Sequence, residues 1–294
     1  MTIEHILSLD ARRFETHEAT VDGARLRYVT AGHGEPLVLL HGWPEDHHAW
    51  THQIGPLSEL RRVIVPDLLG WGASERDTRL SCDYDSEVER LARMLDALGL
   101  DRVDLACHDY GGFLGLGLLR RYPNRIRRFA ILNSRAHRTF AFRYRLLFGL
   151  LTTLARCAPT RSLLTVPAIH ALHRWGLRPY VRNGSFDSDR LDDYLAMLRT
   201  REGRRWYAHF WSGYRVRVRP ELAAGLPAVA CPTTVIWGTR DPGISVRTAR
   251  ELAARIPDAE LVLLDADHYV MEQRPTEVTQ ALLTWLRRPL AESP

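Results

Sequence analysis

The chain has 294 residues, 45% of them hydrophobic, and a formal net charge of +5. This length allows one large α/β domain or two smaller ones, and it can bury a substantial core without disulfide or metal cross-links. The four cysteines show no metal-binding spacing and no paired framework, which is typical of a reducing compartment. Residues 1–20 lack the apolar core of a signal peptide, and no apolar run reaches the roughly 18 residues of a membrane span. We therefore expect a cytoplasmic protein without stable membrane insertion.

The basic residues are unevenly distributed, and all 40 of them are arginine. Residues 135–219 contain 17 arginines and five acidic residues, a net charge of +12, whereas the rest of the chain carries −7. Such a basic segment suits anionic ligands or a membrane surface, but a solvated basic face is the simpler interpretation and the one the sequence favours. No module that combines basic and aromatic residues for nucleic-acid binding is present, so we expect no nucleic-acid partner.

Strand signals and helix signals alternate along the first part of the chain, which predicts a mainly parallel sheet. Before that sheet, the turn signal Asp22-Gly23 separates two segments of alternating polarity, residues 13–20 and 25–30, and predicts a hairpin. Residues 83–98 have the apolar spacing of an amphipathic helix. The remaining predicted strands are short apolar segments: residues 36–40, 62–65, 102–106 and 128–133.

A helical segment interrupts this alternation. Residues 134–220 are rich in arginine and aromatic residues and contain no clear strand signal. A helical insertion between strands of an α/β sheet is most simply a cap over the carboxyl ends of the strands, where such sheets bind ligands. We therefore divide the chain into a core, residues 1–133 and 221–294, and a cap, residues 134–220. The later core elements are two strands and a helix: residues 233–237, 260–264 and 276–286.

The most informative stretch is the junction between the strand predicted at 102–106 and the helix predicted at 111–122. Such a strand–turn–helix junction is the setting of a nucleophile elbow, whose usual pattern is Gly-x-Ser-x-Gly. Asp109 stands in the nucleophile position and Gly111 in that of the second glycine, whereas Cys107 replaces the first. Because an aspartate after a strand is also a common helix N-cap, this motif alone leaves both roles open.

Two further polar side chains follow predicted strands near the end of the chain. Asp241 comes after the strand at 233–237, and His268 comes after the strand at 260–264. Asp109, Asp241 and His268 thus occur in the order of nucleophile, acid and base that one class of hydrolases uses. Two neighbours of His268 compete for the role of the acid and are more simply turn residues: Asp265 and Asp267.

The segment His41-Gly42-Trp43-Pro44 directly follows the strand predicted at 36–40. We expect the backbone amide of Trp43 to pair with that of Tyr110 as an oxyanion hole. Three nearby histidines look like a metal cluster, but their spacing matches no standard site, so we predict no bound metal: His47, His48 and His52.

From about Arg25 to Leu286 the chain resembles the α/β-hydrolase superfamily and, within it, the epoxide hydrolases. The resemblance implies an α/β-hydrolase fold: a mainly parallel, twisted sheet flanked by helices, with an inserted helical cap. It also implies a cis bond between Trp43 and Pro44. The motifs that carry it are His41-Gly42-Trp43-Pro44-Glu45 with Trp50, Arg62-Val63-Ile64-Val65-Pro66-Asp67, Gly70-Trp71-Gly72-Ala73-Ser74, His108-Asp109-Tyr110-Gly111-Gly112, Trp237-Gly238-x-x-Asp241-Pro242 and Asp267-His268.

Epoxide hydrolases bind and protonate the epoxide oxygen with two tyrosines of the cap. Tyr214, which precedes Arg215, occupies the usual place of one of them. The sequence does not single out the second, for which four residues are candidates: Tyr144, Tyr180, Tyr194 and Tyr207. The side chains expected to contact the substrate are those of Trp43, Tyr110, Tyr180 and Trp211. Several apolar cap residues fit either an apolar substrate or the core of the cap: Phe140, Phe142, Leu146, Leu147, Phe148 and Leu150.

The resemblance implies hydrolysis of a small apolar epoxide through an alkyl ester on Asp109, which water activated by His268 converts to a vicinal diol. A carboxylate is already an anion, so this chemistry needs neither a cofactor nor a metal. A haloalkane or haloacid dehalogenase is an alternative, although haloalkane dehalogenases typically place Trp where this chain has Tyr110. A halide site would then come from the cap tryptophans: Trp175, Trp206 and Trp211. A third reading is a non-catalytic ligand binder of the same fold, and the sequence leaves the oligomeric state open.

Overall fold

A computed structural model describes residues 14–290 of the chain. Most of the segment used for the signal-peptide prediction, and Arg13 of the predicted hairpin, lie outside the described residues. Eight strands form one sheet in the order β1-β2-β4-β3-β5-β6-β7-β8. The strands are β1 (Glu15–Val21), β2 (Ala24–Ala31), β3 (Pro36–Leu40), β4 (Arg62–Pro66), β5 (Val103–His108), β6 (Ile126–Leu132), β7 (Thr233–Gly238) and β8 (Glu260–Leu264).

The sheet is parallel except at one side. Strands β3 to β8 run parallel to one another, whereas β2 is antiparallel to both β1 and β4. The turn between β1 and β2 confirms the predicted hairpin, because Asp22 (φ 55°) and Gly23 (φ 80°) both take the positive φ that a type I′ turn requires. Since the six parallel strands end at the same edge, the side chains that follow them are brought together there.

Helices cover both faces of the sheet, and the central strands β5, β6 and β7 are therefore buried along their whole length. The predicted amphipathic helix is present and begins at Asp83, whose carboxylate accepts from the amides of Asp85 and Ser86. The helices of the core are α1 (Thr51–Ser58), α2 (Tyr84–Ala97), α3 (Asp109–Arg121), α10 (Val246–Arg255), α11 (Val270–Gln273) and α12 (Pro275–Leu286).

Three of these helices have no counterpart in the sequence analysis: α1, α10 and α11. Helix α1 contains Pro56, which interrupts a helical pattern. Helix α10 has apolar residues at regular helical spacing, Val246, Ala249, Leu252 and Ala253, and the sequence analysis overlooked it. Helix α11 has only four residues, too few to give a periodic signal.

The chain between β6 and β7 is helical. All residues from 133 to 232 are described, and none of them lies in a strand. Helices α4 and α8 pack against each other, and α8 buries four aromatic side chains: Trp206, Tyr207, Phe210 and Trp211. We keep the name cap for residues 134–220, whose helices are α4 (Phe142–Arg156), α5 (Ala158–Arg161), α6 (Ala168–Arg182), α7 (Ser188–Tyr194) and α8 (Arg201–Gly213); α9 (Pro220–Gly225) begins where the cap ends and packs against α3. Within residues 14–290, no helix has both the length and the apolar character needed to cross a membrane.

Candidate active site

The junction between β5 and α3 is a sharp elbow. Asp109 begins α3 with a φ of 41°, a left-handed conformation that is unfavourable for a residue with a side chain. Glycine is needed close by, because a Cβ on Gly111 would lie 2.5 Å from the His41 carbonyl oxygen. Cys107, which replaces the first glycine of the usual pattern, fits because α3 has glycine opposite it: a Cβ on Gly115 would lie 2.5 Å from the Cys107 Sγ.

The side chains after β7 and β8 meet Asp109 at this edge of the sheet. His268 Nδ1 lies 2.8 Å from Asp241 Oδ2, and its Nε2 lies 3.8 Å from Asp109 Oδ1. Asn133 also donates to Asp241 Oδ2, and two backbone amides, of Gly243 and Ile244, donate to Oδ1. Both oxygens of Asp241 are therefore held in place, and the carboxylate is well positioned to orient the imidazole.

The electrostatics of the three groups are linked. Burial lowers the pKa of His268, but the negative charges of Asp241 and Asp109 outweigh burial and raise this pKa to about 10. Burial also favours the neutral form of Asp241, yet its contacts with His268 and Asn133 hold the pKa of Asp241 below its usual value. With both negative charges beside it, the imidazole is therefore cationic at neutral pH, and loss of either charge would lower the pKa of His268 and let the imidazole release its proton.

Neither competitor for the role of the acid contacts the imidazole. Asp267 accepts hydrogen bonds from the Ser185 hydroxyl and the Tyr269 amide. Asp265 is exposed and pairs with Arg240 at 2.8 Å. Of the three candidate carboxylates, only Asp241 is paired with His268.

The loop after β3 brings backbone amides to the nucleophile position. The Trp43–Pro44 peptide bond is cis, as the resemblance implied. The Trp43 amide donates to Asp109 Oδ2 at 3.1 Å, and the close approach depends on Gly42, where a Cβ would lie 2.6 Å from the Asp109 Cβ. The Tyr110 amide belongs to the first turn of α3, where amides have no partner within the helix. These two amides are the pair expected to form an oxyanion hole.

A buried network that the sequence analysis missed supports this arrangement. Glu45 Oε2 accepts from the Gly42 amide at 2.6 Å and lies 2.8 Å from His108 Nδ1. His108 Nε2 lies 2.9 Å from the backbone carbonyl of His268. Burial raises the pKa of Glu45, but His108 and the Gly42 amide outweigh burial and keep it below its usual value. Glu45 and His108 both belong to motifs of the resemblance, yet nothing in their sequence spacing predicts that their side chains are in contact.

An apolar cavity of about 220 Å³ lies over Asp109, between the core and the cap. Its floor includes Asp109 and His268. The four residues expected to contact the substrate all line it: Trp43, Tyr110, Tyr180 and Trp211. Phe140 and Phe148 line it as well, whereas Phe142, Leu146 and Leu150 do not and are exposed. The apolar residues of the cap are thus divided between the cavity wall and the surface.

Tyr214 follows α8 and lines the cavity. Its ring lies 5.8 Å from that of Tyr110, and the guanidinium of Arg135 lies 5.0 Å from the ring of Tyr214. Burial raises the pKa of Tyr214 to about 12; Arg135 opposes this change, whereas Asp109 adds to it. The phenol therefore keeps its proton at neutral pH and is available as a donor.

The structure separates the four candidates for the second cap tyrosine. The hydroxyls of Tyr144 and Tyr180 lie 3.1 Å apart, and both residues line the cavity. Tyr194 instead donates to Glu272, and the Tyr207 hydroxyl pairs with His173 Nε2 at 2.7 Å. Neither Tyr194 nor Tyr207 lines the cavity, so Tyr144 and Tyr180 remain.

The possible metal ligands in the histidine-rich segment are not the three histidines that the sequence analysis considered. Asp46, His47 and His48 offer ligand atoms within 4.8 Å of one another, and His52 is not part of this group. His47 Nδ1 lies 2.8 Å from Asp67, and His48 Nδ1 lies 2.8 Å from Asp46. Carboxylates thus already occupy one nitrogen of each ring, and the absence of a bound metal stays a prediction.

Comparison with known proteins identifies the protein family to which the chain belongs. The family model of the alpha/beta hydrolase fold matches residues 35–275. The chain therefore belongs to the α/β-hydrolase family, which agrees with its sheet order, its elbow and its helical insertion.

Three relatives illustrate the chemistry found in similar proteins. A cis-3-alkyl-4-alkyloxetan-2-one decarboxylase of Shewanella oneidensis is 27% identical over 287 residues, 90% of this chain and 86% of the relative. Haloalkane dehalogenase 2 of Mycobacterium tuberculosis is 28% identical over 282 residues, 92% of this chain and 94% of the relative. A soluble epoxide hydrolase of Corynebacterium sp. is 43% identical, but over only 96 residues, 33% of each chain.

Proposed function

We propose that the protein hydrolyses a small apolar epoxide to a vicinal diol through an alkyl ester on Asp109. One observation carries this proposal: Asp109 and the His268–Asp241 pair lie under an apolar cavity that Tyr214 lines. The match to a soluble epoxide hydrolase supports it. The proposed chemistry uses side chains and backbone amides that are already in place.

In the first step, the Asp109 carboxylate attacks one epoxide carbon. A new C–O bond forms, the carbon–oxygen bond of the ring breaks, and the electron pair goes to the epoxide oxygen. Tyr214 donates a hydrogen bond and then a proton to this alkoxide. Tyr144 and Tyr180 both line the same cavity, and Tyr180 is our choice for the second donor because it is buried there, whereas Tyr144 is only partly buried.

In the second step, the ester is hydrolysed. Formation of the ester removes the charge of Asp109, so the pKa of His268 falls. The imidazolium then returns its proton, by way of water, to the Tyr214 phenolate that the first step leaves, and the neutral imidazole can act as a base. His268 Nε2 then takes a proton from water, which attacks the Asp109 carboxyl carbon. The amides of Trp43 and Tyr110 stabilise the oxyanion, and Asp241 stabilises the imidazolium. The intermediate collapses, the C–O bond between the carboxyl carbon and the substrate oxygen breaks, and the leaving alkoxide takes the proton of the new Asp109 carboxyl group. The diol is thereby released, the Asp109 carboxylate is restored and His268 is again cationic.

Dehalogenation is the second candidate, and two tryptophans favour it. Trp43 and Trp211 both line the cavity, and their indole N–H groups have no hydrogen-bond partner within the described chain. However, both nitrogens are buried beneath the cavity surface, and Trp206, one of the three expected halide ligands, does not line the cavity. A halide in the cavity would reach these nitrogens only if the tryptophan side chains moved. Epoxide hydrolysis requires no such movement, so we prefer it.

A panel of terminal and internal epoxides with alkyl or aryl groups tests the proposed function. We expect diol formation by the purified protein, measured by chromatography against the rate without protein. Halide release from a panel of haloalkanes, without diol formation from any epoxide, would establish the second candidate instead. Tight binding of the compounds without turnover would mean that the protein is a ligand binder.

Replacing Tyr214 with phenylalanine is expected to slow formation of the ester by about 10²–10⁴-fold, the range associated with loss of general-acid help. Stopped-flow measurement of ester formation from an epoxide checks this result. Tyr207→Phe is the matched control, because Tyr207 lies in α8 about two helical turns before Tyr214, but its hydroxyl pairs with His173. A Tyr214→Phe variant that forms the ester as fast as the control would remove Tyr214 from the mechanism.

A further inference from the structure

The cap carries an unusual concentration of exposed apolar side chains. Within residues 14–290, nine large hydrophobic side chains are exposed, and all but Leu290 lie between residues 142 and 175. Contiguous exposed apolar side chains, unlike scattered ones, mark sites of interaction. We call this set the mouth patch: Phe142, Leu146, Leu147, Leu150, Leu163, Val166, Leu172 and Trp175.

Helix α4 accounts for half of the mouth patch. Phe142, Leu146 and Leu150 are spaced four residues apart and therefore share one side of the helix. The side that faces the cap interior buries other apolar residues, including Phe148 and Leu151. The exposed stripe is thus not needed to hold α4 in the cap.

Part of the mouth patch borders the cavity over Asp109. Three of its members both line that cavity and are exposed: Leu147, Leu172 and Trp175, with Trp175 69% exposed. The apolar surface outside is therefore continuous with the apolar wall inside. Whatever covers the mouth patch also lies at the path by which a substrate enters.

The charged side chains that α4 and α6 themselves supply to the mouth patch are all arginines, and one of them, Arg174, pairs with Asp192 of α7. The sequence contains no aspartate or glutamate between Asp109 and Asp187. On α6, Trp175, Arg178 and Arg182 share one side of the helix because they are three and four residues apart. Four exposed arginines of α4 and α6 have no carboxylate within 4.0 Å anywhere in the described chain: Arg143, Arg145, Arg178 and Arg182.

We propose that the mouth patch docks the protein on the surface of an anionic lipid bilayer. A helix with apolar residues and unpaired arginines on its exposed side lies in the plane of the interface, with its apolar residues below the headgroups and its cations against them. Tryptophan is favoured at this depth. A lipophilic substrate then passes from the bilayer into the cavity without crossing water.

The charge pattern favours an anionic bilayer over two other partners, a second copy of the chain and an acidic protein. In a symmetric pair of copies, the same unpaired arginines would face each other across the interface and repel. An acidic protein would neutralise them, but it would also block the entrance to the cavity. An anionic bilayer satisfies the arginines, covers the apolar side chains and leaves the entrance supplied with lipophilic molecules. This docking rests on the surface of the cap and not on the proposed reaction at Asp109.

Sedimentation with vesicles tests the proposal. We expect the full chain to bind vesicles of phosphatidylglycerol and phosphatidylcholine at low salt, and to bind much less to vesicles of phosphatidylcholine alone or in 0.5 M salt. Replacing Arg145 and Arg178 with glutamate should lower the partition coefficient at least about 25-fold, since each arginine near an anionic surface contributes roughly fivefold. Phe142→Ser with Leu150→Ser should lower it at least about tenfold by loss of apolar burial.

The matched control reverses two exposed arginines at the opposite end of the molecule. Arg102 precedes β5 and Arg287 follows α12, so both lie toward the amino ends of the strands, away from the cap. Arg102→Glu with Arg287→Glu makes the same change in net charge and should bind vesicles nearly as well as the unaltered chain. Thermal unfolding monitors whether each variant is folded.

Three results would overturn the proposal. The first is no binding to anionic vesicles at low salt by the unaltered chain. The second is equal loss of binding in the cap variant and the control variant, which would mean that only net charge matters. The third is a dimer in sedimentation velocity that Phe142→Ser with Leu150→Ser disrupts, without vesicle binding, which would assign the mouth patch to self-association.

Discussion

Replacing Asp109 with asparagine is expected to reduce epoxide turnover by roughly 10⁴-fold or more, the scale seen when a nucleophile is removed from a catalytic triad. The amide is a poor nucleophile and cannot form the alkyl ester. The elbow should persist, because asparagine tolerates the positive φ of this position as well as aspartate does. Steady-state turnover and thermal unfolding of the variant check both parts of this prediction.

Cys107 provides the control for the nucleophile. It lies two residues before Asp109 and is the other nucleophilic side chain of the elbow. Burial raises the pKa of the Cys107 thiol well above its usual value, so the thiolate is suppressed. Cys107→Ala should therefore keep most of the activity. Full activity in Asp109→Asn, or its loss in a well-folded Cys107→Ala variant, would overturn the assignment of the nucleophile.

Asp241→Asn is expected to slow hydrolysis of the ester by about 10⁴-fold, because an amide no longer fixes the imidazole tautomer or stabilises the imidazolium. Formation of the ester should be affected much less, since the Asp109 carboxylate attacks without a base. The ester should therefore accumulate in the variant. Rapid-quench measurement of both steps separates the two rates.

Asp265→Asn is the matched control for Asp241. Asp265 is nearer to His268 in the sequence, but it is exposed and pairs with Arg240. Its replacement should leave both rates close to those of the unaltered chain. If Asp265→Asn slowed hydrolysis as much as Asp241→Asn, the carboxylate that orients His268 would have been misassigned.

Local patterns in the sequence predicted the fold well. The central strands are continuous apolar runs because helices bury them on both sides, and the hairpin turn requires the residues found at Asp22 and Gly23. The predicted strand at residues 102–106 differs from β5 by one or two residues at its ends. The junction at Asp109 could be located because the usual elbow pattern is itself local.

Contacts between distant parts of the chain could not be predicted in the same way. The Glu45–His108 pair joins residues 63 positions apart, and the Tyr144–Tyr180 pair joins two helices of the cap. Neither contact leaves a periodic signal in the sequence. The sequence also favoured a solvated basic face for the cap, because the arginine count is visible there, whereas the exposure of Phe142 and Trp175 is not.

The alkyl ester on Asp109 is the central claim, and intact-mass analysis of the His268→Gln variant tests it most directly. With His268 removed, the ester should form but not be hydrolysed, so brief exposure to an epoxide should add the whole mass of the substrate. Fragmentation of the tryptic peptide that covers residues 103–120 should assign the added mass to Asp109. A haloalkane would instead add the substrate mass less that of hydrogen halide. An unchanged mass with every epoxide that the unaltered chain hydrolyses, or an adduct on Cys107, would contradict the mechanism.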